Sequence, residues 1–288
     1  MREVYVTVGP SGTGKTYWAT HKFDGVVFDS DRYREVVCGD SMDQKHNNEV
    51  FKRLHRDLFN CLEKDRNGKF CFCATNLGYK FRHKFIQECR KKFDDVRIMA
   101  VVFVAPLEVC LRNIEKRSRK VPEYVVRRQI SQFQIPFKNE GWDDIQIAPA
   151  YGYTPDEFNN EISNLILEFG NQDNPHHNFT LQKHLEQTMS LMIYKSNEIP
   201  LRVAAYFHDV GKIFTKVFDD KGIAHYYGHE NWSAYLALCC GHSLKVATLC
   251  NYHMLPYNEQ GIATWRARLG DELWNKIILL HECDRRAH

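Results

Sequence analysis

The chain has 288 residues, 43% of them hydrophobic and 26% charged, with a formal net charge of +3, so two globular domains with separate apolar cores are expected. No stretch approaches the run of about 18 apolar residues that a membrane helix needs, and the opening MREVYVTVGPSG reads as no signal peptide. The ten cysteines contain no Cys-x-x-Cys pair, which points away from a zinc site and toward buried free thiols in a reducing cytoplasm.

In chain order, apolar β-branched runs at Val4–Val8, Val26–Phe28, Phe70–Cys73, Ile98–Val104 and, more weakly, Ile145–Ile147 read as strands. Glu49–Asp65 and Phe81–Lys92 are helix-compatible, and Pro155–Phe169 reads as a closing helix. Strands alternating with helices predict an α/β domain on a mainly parallel sheet. The polar, helix-breaking stretch Gly170–Pro175 then marks a boundary, giving domains at 1–170 and 171–288. Beyond it Thr180–Lys195, Leu201–Lys212, Glu230–Cys240 and Glu272–Asp284 read as helices, with a strand only at Ile223–Tyr227. Ten of the fourteen histidines fall in this second part.

Gly9-Pro10-Ser11-Gly12-Thr13-Gly14-Lys15-Thr16 fits GxxxxGK[ST] directly after a strand, the context in which that pattern cradles phosphate. The glycines at 9, 12 and 14, with Ser11 and Thr13, let backbone N–H groups curl around phosphate oxygens. Lys15 is expected on the β- and γ-phosphates of ATP or another nucleoside triphosphate, and the Thr16 hydroxyl on Mg²⁺. After the second strand comes Asp29-Ser30-Asp31-Arg32-Tyr33-Arg34, carboxylates and guanidinium groups where open α/β sheets bind ligands. Asp29 and Asp31 fit helix caps as well as catalysis by spacing alone. Arg112, Lys116, Arg117, Arg119, Lys120, Arg127 and Arg128 form a dense positive run, suited to an ATP lid and nucleic-acid backbone contact.

These stretches, with Thr75-Asn76-Leu77 and Arg112-Asn113…Lys116-Arg117…Val121-Pro122 in the same order, resemble the polynucleotide 5′-hydroxyl kinase family over about residues 1–150. The resemblance implies that Asp31 is the general base for a 5′-hydroxyl, that Arg34 contacts the acceptor-side phosphate, and that a lid arginine clamps ATP. Between Lys116 and Arg117 for that lid position, the planar fork of Arg117 suits phosphate better. Where the family carries Asp before Thr-Asn-Leu, this chain has Ala74, removing a carboxylate from that strand's end.

The second part offers His184, His208-Asp209, His229, His253 and Asp284, with Lys212 four residues after His208 and on the same face if the helix persists. Imidazole with carboxylate suits Mn, Fe, Ni, Co, Zn or Mg, metals that activate water and steady phosphoryl oxygens. The stretches 174–184, 204–212 and 222–230 resemble the HD phosphohydrolase superfamily, in particular the HD domain attached to some CCA-adding tRNA nucleotidyltransferases. The resemblance implies one or two divalent transition metals: His184, His208, Asp209 and Asp284 hold the first, and His229 and His253 complete a second with Asp209 bridging. Lys212 is then expected to meet a substrate phosphate, and His176, His177, His225 and His281 to be supporting or substrate contacts at most. The chain stops four residues after Asp284, which reads as a shortened end.

The expected architecture is therefore an α/β P-loop kinase domain, a parallel sheet flanked by helices, followed by an all-α HD domain. Its expected activity is the healing of broken nucleic-acid ends: phosphorylation of a 5′-hydroxyl and opening of a 2′,3′-cyclic phosphate or removal of a 3′-phosphate. RNA, with tRNA among the candidates, is the favoured substrate and a ligase the downstream partner. A small-molecule or nucleoside kinase fused to an HD nucleotide phosphohydrolase, and a kinase with a non-hydrolytic HD nucleotide sensor, are the alternatives.

Overall fold

The computed structural model describes residues 1–41, 43, 45–117, 119–175 and 178–287. They form two compact units, Met1–Gln129 with Pro136–Tyr151, and Ile130–Ile135 with Gly152–His288. The division therefore falls before the helix at 155–169 rather than after it, as the polar stretch at Gly170–Pro175 had suggested. A short piece, Ile130–Ile135, also belongs to the second unit.

The first unit runs β1 (Arg2–Val8), α1 (Lys15–His21), β2 (Val26–Asp29), α2 (Ser30–Cys38), α3 (Asn47–Lys64), β3 (Lys69–Cys73), α4 (Tyr79–Lys92), β4 (Val96–Val104), α5 (Leu107–Glu115), α6 (Glu123–Ser131) and β5 (Asp144–Pro149). Among the described residues the strands make one sheet in the order β2-β3-β1-β4-β5, with every pairing parallel. Side-chain alternation along the strands sorts the two faces. Val4, Val6, Phe70, Phe72, Ile98 and Ala100 share a core with Leu54, Leu58 and Leu62 of α3 and Phe85, Ile86 and Cys89 of α4. Cys71 and Cys73, on the opposite face of β3, pack with Ala19 and Trp18 of α1. The α3 residues Leu54, Leu58 and Leu62 recur at every fourth position and are fully buried, each contributing about 1.5–3 kcal/mol.

Parallel pairing brings the C-terminal ends of β1, β2 and β3 to one edge, with Asp29 registered on Cys73. The loops that follow these strands build the first site there. Behind it, Arg82 forks onto Glu140 at 3.0 and 2.7 Å and donates to the carbonyls of Asn76 and Leu77. Glu140 also accepts from Trp142 Nε1 at 2.9 Å. Both members of the pair have fully buried side chains, so Glu140→Ala, which strands the guanidinium, is expected to destabilise this unit by about 3–5 kcal/mol. Calorimetry of the whole chain checks this: the first unit's transition moves down and the second unit's stays in place.

The second unit consists of α7 (Pro155–Phe169), α8 (Leu181–Lys195), α9 (Ile199–Phe207), α10 (Lys212–Thr215), a hairpin of β6 (Val217–Phe218) and β7 (Ala224–His225), then α11 (His229–Cys239), α12 (Leu244–Tyr252), α13 (Ile262–Leu269) and α14 (Asp271–Arg286). Proline at the first turn starts α7, and the Thr180 hydroxyl caps α8 by accepting from Lys183 N. Leu201–Lys212 is not one helix: α9 stops at Phe207 and a turn carries His208 and Asp209 into α10. Gly211 permits that turn, because a Cβ there would lie 2.1 Å from the His229 carbonyl oxygen. Ile130–Ile135 is fastened into this unit through Ile135 N to Asn251 Oδ1 (2.8 Å), Tyr252 OH to Ile135 O (3.0 Å) and Trp232 Nε1 to Ser131 Oγ (2.9 Å). Among the described residues no helix is long and apolar enough to cross a membrane.

Candidate functional site

Ser11, from the loop between β1 and α1, borders a cavity of about 210 Å³ also lined by Lys15, Thr16, Asp29, Asp31, Arg34 and Arg117, among others. Gly9 has φ +148°, and a Cβ on it would sit 2.3 Å from the Phe103 carbonyl oxygen; Gly12, at φ +87°, would meet Cys110 O at 2.4 Å. Both positions thus require glycine. Gly14, also at positive φ, is the N-cap of α1, so the helix's positive end opens onto the loop. Ser11 N donates to Gln129 Oε1, the Thr13 hydroxyl to Pro10 O, and Asn113 Nδ2 to Gly12 O. The loop is held from several sides.

Lys15 Nζ donates to Pro10 O at 2.6 Å. Burial brings its ammonium down to about 8, with the neighbouring Arg117 charge acting in the same direction. The Thr16 hydroxyl lies 3.4 Å from Asp29 Oδ2, while Asp29 Oδ1 caps α2 by accepting from Asp31 N and Arg32 N at 2.8 and 3.1 Å. Asp31 Oδ1 accepts from Arg34 at 2.6 Å and also pairs with Arg119. Arg34 is buried and holds Asn47 Oδ1 at 3.0 Å through its other terminal nitrogen. Arg117 borders this cavity, whereas Lys116 is exposed and not among its lining residues. Arg119, counted in the sequence only as one of a basic run, reaches Asp31. Arg117 also lines a second cavity of about 330 Å³, with Gly12, Thr13 and Gly14 of the loop and with Tyr17, Trp18, Phe103 and Tyr151.

In the second unit five elements converge. His184 comes from α8, His208 and Asp209 from the end of α9 and its turn, His229 from the first residue of α11, His253 from the end of α12 and Asp284 from α14. All six are buried. His184 Nε2 lies 3.2 Å from Asp284 Oδ1, 3.3 Å from Asp209 Oδ2 and 3.3 Å from His208 Nε2. Asp209 Oδ1 faces His229 Nε2 at 3.1 Å and His253 Nε2 at 3.5 Å. Ligand atoms within 4.8 Å of one another define two groups, His184-His208-Asp209-Asp284 and Asp209-His229-His253, sharing Asp209.

The far ring nitrogens explain why these imidazoles fit metal. Each Nδ1 lies against a backbone carbonyl: His184 on Ala287 O (3.0 Å), His208 on Ala205 O (3.0 Å), His229 on Tyr226 O (2.8 Å) and His253 on Cys250 O (2.7 Å). With Nδ1 held by a carbonyl, every Nε2 is aimed inward, the arrangement of metal-binding histidines. His229 Nε2 and His253 Nε2 are buried and both face the single oxygen Asp209 Oδ1, at 3.1 and 3.5 Å, a donor set that a cation would satisfy. Burial opposes charge throughout. Lys212, His208 and the hydrogen bonds from His184 and His229 nonetheless hold Asp209 well below the usual carboxylate range. Burial likewise pulls His184 down, yet its bonds to Asp209 and Asp284 carry it up to about 9. The cluster therefore attracts positive charge.

Lys212 does not share a helical face with His208, since α9 has ended. It opens α10 and bonds Asp209 Oδ2 at 2.6 Å and Gln172 Oε1 at 2.8 Å. Gln172, read from sequence as part of a linker, is buried beside the site, and its carbonyl accepts from Tyr226 OH. Tyr257 OH donates to Asp284 Oδ2 at 3.1 Å. Nothing in the local sequence marks Gln172 or Tyr257, whose partners are far along the chain. His225 bonds Asp219 and stacks on Tyr227, and His281 packs edge-on against Tyr257. His176 and His177 lie outside the described residues.

The two constellations are a phosphate loop of the P-loop type and a His/Asp cluster whose ligand atoms could hold divalent metal. Residues 4–136 match the AAA domain family and residues 181–286 the HD domain family, so the chain joins a kinase-like P-loop domain to an HD domain. No curated protein matches it in sequence. Among solved structures it is similar to the Pnkp1/Rnl/Hen1 complex (20% identity over 42% of this chain and 41% of that chain, TM-score 0.33). A gluconokinase from Sinorhizobium meliloti 1021 (12%, 52% and 84%, TM-score 0.37) and a fungal RNA kinase (16%, 58% and 44%, TM-score 0.40) are also similar. The chain spans less than half the length of the first and third of these.

Proposed function

We propose that the chain is a bifunctional nucleic-acid end-processing enzyme of the reducing cytoplasm, a polynucleotide 5′-kinase and a 2′,3′-phosphoesterase. The observation that carries this reading is the meeting of Asp31, Arg34, Lys15 and Thr16 around one cavity. A carboxylate and a guanidinium beside the lysine and threonine that end a phosphate loop support a site for an acceptor hydroxyl next to the triphosphate. The basic run from Arg112 to Arg128 favours a polymeric acceptor over a small molecule, and all ten cysteines are free thiols.

In the kinase reaction Asp31 accepts the proton of the 5′-hydroxyl as its oxygen bonds to the γ-phosphorus, and the bond to the β,γ-bridging oxygen breaks to release ADP. Lys15 and Arg117 offset charge on the phosphates, and Arg34 orients the acceptor through its phosphate. Thr16 would hold the Mg²⁺ that accompanies ATP, which would supply further neutralisation. In the HD domain His184, His208, Asp209 and Asp284 would hold one divalent metal and His229 and His253, with Asp209, a second. Mn, Ni, Co, Fe and Zn all suit the donor set, and such metals supply an activated water and charge stabilisation on a phosphoryl oxygen. Lys212 fixes the Asp209 carboxylate through its 2.6 Å bond to Oδ2 and would set positive charge beside a substrate phosphate.

The decisive assay is the purified chain with ATP, Mg²⁺ and Mn²⁺ on an RNA oligonucleotide bearing a 5′-hydroxyl and a 2′,3′-cyclic phosphate, with both ends followed. Gain of a 5′-phosphate and opening of the cyclic end are expected, yielding termini a ligase can use. Phosphorylation of free nucleosides but not of the oligonucleotide overturns the polymeric reading. Asp31→Asn is expected to keep ATP binding while turnover falls about 10²–10⁴-fold, because the amide is too weak a base. Unchanged turnover at neutral pH removes Asp31 from the role.

A further inference from the structure

Ala74 leaves the end of β3 without the carboxylate that the first cavity would use beside a triphosphate's metal. The cavity's lining contains two carboxylates, Asp29 and Asp31. Asp31 is engaged by two guanidinium groups, those of Arg34 and Arg119. Asp29 stands one strand over, at the end of β2, in register with Cys73, the residue before Ala74. Its two oxygens are divided between tasks: Oδ1 takes both backbone N–H groups at the start of α2, and Oδ2 points toward the Thr16 hydroxyl at 3.4 Å. A hydroxyl and a carboxylate oxygen side by side at the foot of a phosphate loop form a hard oxygen pair of the kind Mg²⁺ and its waters accept. The N-cap bonds fix the carboxylate's rotation, so that Oδ2 is presented without further ordering.

Resting on the kinase reading above, we propose that Asp29 supplies the acidic oxygen that holds the hydrated Mg²⁺ of the bound nucleotide with Thr16, in the place that Ala74 vacates on β3. The sequence motif thus separates two adjacent acidic roles, Asp29 toward the cation and Asp31 toward the acceptor hydroxyl.

The test is Asp29→Asn in the full chain, since asparagine caps a helix as well as aspartate but carries no charge. Binding of Mn²⁺ in the presence of ADP, followed by electron paramagnetic resonance, is expected to weaken about 10–100-fold, while ADP affinity without metal is unchanged or improved. Asp29→Glu, which keeps the charge, is expected to retain most of the Mn²⁺ affinity. Unchanged Mn²⁺ affinity in Asp29→Asn, or equal losses in Asn and Glu, overturns the assignment. A wild-type chain that binds neither ADP nor Mn²⁺·ADP instead sinks the kinase reading itself.

Discussion

Asp209→Ala is expected to remove all 3′-end phosphoesterase activity, empty the HD centre of metal and lower the unfolding temperature of the second unit, with the kinase untouched. Asp209 is the member common to both ligand groups, so its loss opens both at once. It also strands Lys212, which is buried and bonded to Oδ2 at 2.6 Å. An unpaired buried ammonium costs about 3–5 kcal/mol relative to the intact pair. Metal binding to the folded state alone adds about 2.7 kcal/mol at a hundredfold excess over the dissociation constant, and the variant forgoes that as well. Asp209→Ala/Lys212→Met, which removes the stranded charge, is expected to recover part of the stability and none of the activity. Elemental analysis, release of 3′-end phosphate and calorimetry read the three effects. If the wild-type chain holds no transition metal under any loading condition and shows no 3′-end activity with added Mn²⁺, Ni²⁺ or Co²⁺, the hydrolase half of the proposal fails and the HD domain is a binding or scaffolding module.

Lys15→Ala is expected to reduce phosphate transfer by about 10²–10³-fold or more, the usual result of deleting one preorganised positive group from a developing anion. Phosphoesterase activity should persist, because Lys15 and the HD ligands lie in separate compact units. The variant is not expected to lose stability. Burial lowers the Lys15 ammonium from 10.5 to about 8, so the fold disfavours its charged form. That burden is fully present below pH 8 and fades as pH rises toward 10.5. The variant's first unit should accordingly melt at or above the wild-type temperature at pH 7, with the gap narrowing by pH 10. Loss of both activities in a folded Lys15→Ala chain would mean that one site serves both reactions.

The readings that came directly from sequence are those in which chemistry is written in contiguous residues. Gly9 to Thr16 build their site from neighbouring backbone, and the positive φ values at Gly9, Gly12 and Gly14 are what glycine at those positions implies. The parallel sheet was legible because its strands are short apolar runs alternating with helices, and the family matches at 4–136 and 181–286 agree with the two domain types read from motifs. The single helix drawn over Leu201–Lys212 failed where an apolar pattern runs past its true end. The turn after Phe207 is fixed by the close approach of Gly211 to the His229 carbonyl, a contact with a distant helix.

The sequence by itself determined the kinds of domain, the phosphate loop and the residue types gathered in the HD domain, because each rests on local spacing and side-chain chemistry. Tertiary structure alone decided that Ile130–Ile135 and α7 belong to the second unit, because long-range bonds such as Ile135 N to Asn251 outweigh chain order. It also decided that Gln172 is buried against Lys212, though a polar residue in a polar stretch reads the same whether solvated or packed. And it set Asp29, in register with Cys73, with Oδ2 toward Thr16, since which carboxylate oxygen faces a neighbouring loop follows from strand register and a helix cap, quantities that exist only once the sheet has formed.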